Sequence, residues 1–246
     1  KGTSLPRDHS TLDVRQVFKE GRFRNKELWV DGRNMQFIPG EYYNVGGKTK
    51  WYGAALLRFA PHEFEADAAH QCLPWPFGCD ELAPWYDEAE RLLAVNRFEN
   101  EPELQSLLDR ITTADPSFRA EALPLGLKPE ILHDEEEAKH FDGYASPSGY
   151  KSDAECNLLD PLKGNPRLTL MTGKAVAALS CAPDSPLWIT GVHCADGSSW
   201  RAPEVVLAAG AMTSPRLLQD HIRALSLETT LASAPLVGAN FKMHIN

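Results

Sequence analysis

Residues 205–216 decide the fold prediction, and they read Val205-Val206-Leu207-Ala208-Ala209-Gly210-Ala211-Met212-Thr213-Ser214-Pro215-Arg216. The apolar run at the start predicts a strand buried on both faces, as the strands of a parallel sheet are. Ser214 is a natural N-cap and Pro215 a natural first helical residue, so a helix is expected to begin there. The small residues between strand and helix let the backbone approach a large flat molecule. This arrangement is typical of the nucleotide-cofactor crevice of α/β proteins, and equally of tight helix-on-sheet packing.

The composition is that of a globular protein with an acidic balance. The chain has 246 residues, of which 43% are hydrophobic and 24% charged, which fits one large domain or two intertwined ones. The net charge is −9 without a basic stripe, which argues against nucleic acid or an anionic membrane surface as a partner. No apolar stretch approaches the length of a membrane span. The first residue is not methionine, so we expect an internal fragment of a longer protein.

The cysteines and the acidic run predict no metal or redox site. Five cysteines follow neither a metal-ligand spacing nor a Cys-x-x-Cys spacing. Cys181 would face about Trp188 in a predicted hairpin, and Cys194 about Ala175, so these two thiols would not bridge. We expect free buried thiols, which suit a reducing compartment such as the cytoplasm. The acidic run 134–137 is expected to be a solvated face.

Hydrophobic periodicity predicts a mixed chain of short strands and helices. One helix is expected from Asp80 onward and another over 101–111, since apolar residues recur there at helical spacing. A third helix is possible over the acidic run, whose charges suit an exposed helix. The expected class is α/β, with a Rossmann-like doubly wound sheet, a small inserted antiparallel sheet and a helical insertion. The predicted strands cover residues 27–30, 35–38, 167–172, 176–181, 187–194 and 199–202, with a turn at Gly197.

Two further segments carry candidate chemistry. Gly46-Gly47-Lys48-Thr49 could wrap a pyrophosphate with backbone N–H donors and a hydroxyl, although it lacks the Walker A spacing and also suits a plain turn. In the segment 235–246, His244 could be a functional imidazole, but a packed and satisfied histidine is the better interpretation.

The order of these pieces resembles the glucose-methanol-choline (GMC) family of flavin-dependent oxidoreductases. The chain has a Gly-Gly loop, a helical insertion, a small antiparallel sheet, the stretch Gly-Ala-x-x-Ser-Pro-x-Leu-Leu at 210–218, and Val-Gly-x-Asn-x-x-x-His at 237–244. Each motif alone is weak, but the set in this order is specific. The resemblance covers nearly the whole chain and implies FAD-binding parts at 1–60 and 161–246, with part of a substrate domain at 61–160.

The resemblance also implies which residues contact FAD. The Gly-Gly loop of the family contacts the pyrophosphate and continues under the flavin. The stretch at 210–218 lies near the flavin, and a valine after the Leu-Thr-Leu segment contacts the adenine side. Transferred to matching positions, the implied cofactor-binding residues are Asn44, Val45, Gly46, Gly47, Lys48, Thr49, Val176, Ala209, Gly210, Asn240 and His244.

Departures from the family pattern refine this expectation. Asp220-His221-Ile222-Arg223 stands where Ser-Gly-x-Gly is usual, which puts the next turn in doubt. The Gly-Gly loop has Lys48, Lys50 and Trp51 near the position where some relatives attach FAD to a histidine, so non-covalent FAD is predicted. The family's opening Gly-x-Gly-x-x-Gly is absent, and its catalytic histidine is expected beyond Asn246, so His244 is not that residue.

The implied reaction is oxidation of an alcohol or sugar CH–OH group. A base removes the hydroxyl proton while a hydride passes to flavin N5. The chain alone is expected to be inactive. The alternatives are a non-catalytic interaction domain that keeps the fold, and another flavoprotein class with the same two-domain plan, which a Cys-x-x-Cys near the flavin would favour. The substrate, the electron acceptor and the oligomeric state are not predicted.

Overall fold

A computed structural model describes residues 2–239 and residue 241, which form two compact units. The first unit is Thr3–Leu170, and the second comprises Gly2 with the described residues from Met171 onward. The division into a flavin-binding part, a substrate-domain part and a second flavin-binding part stays a prediction. None of the helices in the described ranges is long and apolar enough to cross a membrane.

The first unit is built from short elements around two small apolar clusters. One cluster is formed by Leu12, Val17 and Tyr144. The other is formed by Ala54 and Leu127 with Ile131. The strands are two-residue antiparallel pairs, so most of the backbone is held by turns and loop contacts. Its helices and strands are β1 (Trp29–Val30), β2 (Gln36–Phe37), α1 (Cys79–Leu92), β3 (Asn96–Arg97), α2 (Pro102–Ala114), β4 (Pro124–Leu125) and α3 (Glu135–His140).

The second unit is an antiparallel sheet with one helix. β5 (Val176–Ala182) pairs with β6 (Ser185–Cys194), which pairs with β7 (Ser199–Arg201), and α4 (Gly210–Ala224) contacts β5. The predicted hairpin is confirmed, and the turn at Gly197 has a positive φ of 84°.

Residues on β6 and α4 explain how this sheet and helix fit together. Gly191 of β6 lies opposite Arg201 of the neighbouring strand β7, and a Cβ at this position would overlap the carbonyl oxygen of Trp200. His221 of α4 is buried, and its Nε2 lies 3.0 Å from the carbonyl oxygen of Pro186. The helix is therefore joined to the start of β6 by a hydrogen bond, in addition to its packing against β5.

The stretch that decided the fold prediction differs from expectation in two ways. Residues 205–209 form no strand, and Val206 is 87% exposed, because no strand of the described residues lies beside them to complete a parallel ladder. The helix begins at Gly210 with Ala209 as N-cap, so the predicted start at Ser214 and Pro215 is wrong. Ser214 still contributes to the start of the helix, since its Oγ accepts a hydrogen bond from the Ala209 N–H at 2.9 Å.

Three smaller expectations also need correction. Residues 167–172 form no strand, since they have no pairing partner in the described chain. In the hairpin Cys181 faces Ile189, and Cys194 faces Val176, one residue from each predicted partner, and both thiols are free. Glu137 breaks the pattern of a solvated acidic face. It is buried, and its carboxylate accepts hydrogen bonds from the Ser146 hydroxyl and from the Ser148 N–H.

Candidate functional site

The Gly46–Gly47 loop has a backbone shape that glycine alone adopts without strain. Gly46 has φ +82° and Gly47 has φ +54°, both in the left-handed region, and a 3-10 helix over Gly47–Lys50 follows directly. The Gly47 N–H donates to the Asn44 carbonyl at 3.0 Å, and the Thr49 N–H donates to the Gly46 carbonyl at 3.2 Å. The loop therefore turns sharply twice within four residues.

Asn44 holds this turn from inside. Its Nδ2 donates to the carbonyl oxygens of Val45 at 2.8 Å and Gly47 at 3.2 Å, and its Oδ1 accepts the Trp51 Nε1–H at 3.2 Å. The Val45 N–H donates to the Thr3 carbonyl at 3.1 Å. Both lead-in residues thus shape the loop through bonds within the protein.

Backbone donors and open space are the features of this loop that suit an anion. Among the described residues, the N–H groups of Gly46 and Lys48 have no hydrogen-bond acceptor. A Cβ at Gly47 would meet nothing within 4 Å, so open space lies directly against the backbone there. Successive N–H groups in a left-handed turn form the kind of concavity that binds anions. The Lys48 ammonium lies 2.9 Å from Glu41 Oε1 and is 61% exposed.

The Thr49 hydroxyl is used within the protein rather than offered to a ligand. It donates to the Gly46 carbonyl at 2.6 Å and accepts the Ala154 N–H at 3.0 Å. The fit of the loop to a pyrophosphate therefore rests on backbone donors and on space.

A buried ion cluster lies directly behind the loop. Lys50, Asp153 and Glu155 are at most 4% exposed. The Lys50 ammonium lies 3.0 Å from Asp153 Oδ1 and 2.8 Å from Glu155 Oε2. Burial acts to lower the pKa of Lys50, but its bonds to the two carboxylates outweigh this effect and leave the pKa raised. The Lys50 ammonium therefore keeps its positive charge at neutral pH.

The neighbouring residues 151 and 152 form a second buried polar group. The Lys151 ammonium donates to the carbonyl oxygens of Tyr52 and Phe141, each at 2.7 Å, and is 1% exposed. Burial lowers the pKa of Lys151 to about 8, and the nearby carboxylates only partly oppose this. The Tyr52 hydroxyl donates to the Ser152 carbonyl at 2.7 Å, and burial raises its pKa to about 12.

Sequence reasoning did not single out residues 151–155. Charged residues in a loop-rich stretch indicate a solvated segment, and nothing local reveals that their partners lie about a hundred positions away. The one available signal is Asp153 followed by Glu155, which is typical of an N-cap and an acidic first turn. Asp153 does cap the π-helical turn Ala154–Leu159, since its Oδ1 accepts the N–H groups of Glu155 and Cys156.

In the second unit, the predicted contacts at Ala209 and Gly210 lie at the start of α4. Gly210 has φ +87° and is the first residue of this 15-residue helix. The first N–H groups of a helix have no acceptor within it, and the small residues 209–211 at this start are exposed. An anion is favoured at such an end because the helix dipole is positive there. Val176 is half-buried at the start of β5, opposite Cys194.

The Val-Gly segment of the second unit is fastened to α4. Gln219 Nε2 donates to the Val237 carbonyl at 2.8 Å, and a Cβ on Gly238 would lie 3.1 Å from that nitrogen. Asn240 and His244 lie outside the described residues. The Gly46–Gly47 loop belongs to one unit and the start of α4 to the other, so their convergence on a single cofactor stays a prediction.

Comparison with known proteins identifies the family. The sequence model of the family described as GMC oxidoreductase matches residues 29–246. The chain is 32% identical over 215 residues to a protein named paromamine 6'-oxidase from Streptomyces fradiae, an alignment that covers 73% of this chain and 37% of that protein. It is 29% identical over 236 residues to one named 6'''-hydroxyparomomycin C oxidase from Streptomyces lividus, covering 85% of this chain and 43% of the relative.

A third relative is named 2-methyl-1,2-propanediol dehydrogenase and comes from Mycolicibacterium austroafricanum. It is 26% identical over 98 residues, covering 34% of this chain and 18% of that protein. The chain spans less than half the length of the curated relatives it matches. The family match covers most of the chain, including the Gly46–Gly47 loop and the start of α4, so the chain belongs to the GMC oxidoreductase family.

Proposed function

We propose that this chain is the flavin-holding part of an FAD-dependent oxidoreductase that oxidises an alcohol or sugar CH–OH group. The observation that carries the proposal is the Gly46–Gly47 loop in a member of this family. The N–H groups of Gly46 and Lys48 have no acceptor among the described residues, and the backbone at Gly47 borders open space, which suits a pyrophosphate. When bound, the flavin would supply the acceptor for the hydride.

Each part of the chain has a proposed role at the cofactor. The N–H groups of Gly46 and Lys48 would donate to the pyrophosphate, while Asn44 and Val45 keep the loop in shape and Gly47 allows close approach. Thr49 would act through its bonds to the loop backbone. Ala209 and Gly210 would present the start of α4 to a second part of FAD, and Val176, Asn240 and His244 would make further contacts. No described residue is assigned the role of the base.

Non-covalent attachment leads to a simple prediction. The loop offers no histidine, the Lys50 ammonium is buried in ion pairs, and Trp51 donates its indole N–H to Asn44. The protein made from its complete reading frame is expected to show a flavin spectrum, and acid precipitation should release the whole flavin into the supernatant. Flavin that stays with the precipitate would contradict non-covalent binding. A preparation without a flavin spectrum would favour the interaction domain over the enzyme.

The substrate class is tested by the compounds in the relatives' names. Two relatives are named as oxidases of paromamine and of 6'''-hydroxyparomomycin C, and a third as a dehydrogenase of 2-methyl-1,2-propanediol. We expect the flavin of the purified protein to be bleached anaerobically by at least one such CH–OH compound. Re-oxidation by dioxygen and by an artificial dye, measured separately, distinguishes an oxidase from a dehydrogenase. If the bound flavin is reduced by dithionite but by none of these alcohols or simple sugars, the proposed substrate class is wrong.

A further inference from the structure

Residues 153–155 contact the Gly46–Gly47 loop at three separate points. The Lys50 ammonium at the end of the loop pairs with Asp153 and Glu155, and the Thr49 hydroxyl accepts the Ala154 N–H. Gly46 completes the contact, because a Cβ there would lie 3.4 Å from Asp153 Oδ1 and 3.1 Å from Lys50 Cε. The loop is thus contacted at Gly46, Thr49 and Lys50 by a segment about a hundred residues away in sequence.

This backing segment is itself fixed. Asp153 Oδ1 accepts the N–H groups of the following turn, and the Asp153 N–H donates to Asn157 Oδ1 at 3.2 Å. Glu155 accepts a hydrogen bond from the Ser4 hydroxyl with its second carboxylate oxygen. Every charged atom of the cluster therefore has a partner, and such a network holds its members in one arrangement.

The charge of the cluster argues that it acts on the shape of the loop rather than by attracting a ligand. Lys50 contributes one positive charge, and Asp153 and Glu155 contribute two negative charges, which leaves the cluster with one net negative charge. A net negative cluster repels a pyrophosphate. Burying charged side chains is costly unless they are paired and hydrogen-bonded, as Lys50, Asp153 and Glu155 are here, so the loss of one partner should disturb the whole cluster.

We infer that Lys50, Asp153 and Glu155, with the Thr49–Ala154 bond, are positioning residues for the cofactor loop. They hold the loop backbone in the arrangement that turns the N–H groups of Gly46 and Lys48 outward to the FAD pyrophosphate. This inference rests on the proposed function, because it takes the loop to be the pyrophosphate site.

Two substitutions of Asp153 separate shape from charge. Asp153→Asn and Asp153→Ala both remove one negative charge, but asparagine keeps an oxygen that can accept from Lys50 and from the turn, and alanine does not. Titration of the flavin-stripped full-length protein with FAD, followed by quenching of flavin fluorescence, gives the dissociation constant of each variant. We expect Asp153→Ala to raise the dissociation constant for FAD by about 10-fold or more, which corresponds to about 1.4 kcal/mol of binding free energy. We expect Asp153→Asn to raise it by less than about 3-fold.

Action through charge predicts a different result. If the cluster affected FAD only by its field, both variants would bind FAD more tightly and by the same factor. Equal dissociation constants for the two variants, or tighter binding by both, would overturn the inference.

Hydrogen exchange of the flavin-stripped protein gives a readout that does not depend on activity or on flavin. In peptides that cover residues 44–51, we expect faster amide exchange in Asp153→Ala than in the wild type, with Asp153→Asn close to the wild type. A peptide from the hairpin 176–194, in the other unit, serves as the internal reference. Unchanged exchange in residues 44–51 of the alanine variant would overturn the inference.

Thr49 offers a second matched pair should Asp153→Ala fail to fold. Thr49→Ser keeps the hydroxyl that joins Gly46 to Ala154, whereas Thr49→Val removes it at nearly the same volume, and the residue is exposed. We expect the valine variant alone to weaken FAD binding and speed exchange of the loop, and equal behaviour of the two variants would overturn the inference. Absence of flavin binding by the wild type would instead overturn the proposed function.

Discussion

Replacing Gly46 with alanine is expected to lower the free energy of unfolding by about 2–4 kcal/mol. About 1–2 kcal/mol of this is the cost of a left-handed backbone for a residue with a Cβ, since φ is +82° at this position. The remainder arises because the new methyl group would lie 3.1 Å from Lys50 Cε, so the Lys50 side chain must shift and its ion pairs in the buried cluster lengthen. Denaturant unfolding of the flavin-stripped protein measures the loss.

Gly47 provides the matched control, and its replacement by alanine should lower the free energy of unfolding by less. Its φ is +54°, but a Cβ there points into open space, so alanine costs only the backbone term of about 1–2 kcal/mol. That open space is where the pyrophosphate is proposed to lie. For Gly47→Ala, the loss in FAD-binding free energy should therefore exceed the loss in the free energy of unfolding. Equal stability losses for the two variants would show that the cluster behind Gly46 is not tightly packed.

The parts of the fold that depend on neighbouring residues could be predicted from the sequence. The hairpin of β5 and β6 follows from two runs with strand character on either side of a short turn, and α1 follows from its apolar stripe. Residues 205–209 have the composition of a buried strand, but a parallel strand forms only beside another strand. Ser214 and Pro215 look like a helix start, but the backbone turns at Gly210 four residues earlier.

In the candidate site too, the parts set by neighbouring residues could be predicted and those set by distant residues could not. The Gly46–Gly47 loop was predictable because two glycines in a turn have a local meaning, and the predicted lead-in residue Asn44 shapes that turn. The cluster of Lys50, Asp153 and Glu155 was not, because whether a charged residue is buried depends on a partner far away in sequence. Distant ion pairing leaves no periodicity in either segment.

Replacing Lys151 with methionine is expected to destabilise the protein strongly, and more at high pH than at neutral pH. Methionine leaves the carbonyl oxygens of Tyr52 and Phe141 buried without a donor, at a cost of about 1–3 kcal/mol each, since Lys151 donates to both at 2.7 Å. At neutral pH the loss is partly offset, because the variant no longer buries a charge. We expect a loss of about 1–2 kcal/mol at pH 7 and about 3–4 kcal/mol near pH 9.5, by denaturant unfolding.

The pH dependence follows from the pKa of Lys151, which burial lowers to about 8 from an ordinary value of 10.5. Between these values the unfolded chain binds the proton and the folded chain does not, so the contribution of Lys151 to stability rises with pH. The neutral amine keeps two N–H donors for the two carbonyl oxygens. Burial also raises the pKa of Cys156 and of Tyr52, which lowers stability above about pH 9 and pH 10 respectively.

The difference between wild type and Lys151→Met isolates the contribution of Lys151, because both proteins retain the Cys156 and Tyr52 contributions. Lys139→Met serves as the control. The Lys139 side chain is 64% exposed, and within the described part of the chain it pairs only with Glu135, one helical turn away. Its stability should differ from that of the wild type by less than about 0.5 kcal/mol at every pH. A gap between wild type and Lys151→Met that stays constant from pH 7 to 9.5 would mean that Lys151 titrates as an exposed lysine does. The buried polar group around residue 151 would then be open to water, and the carbonyl oxygens of Tyr52 and Phe141 would not need its amine as a donor.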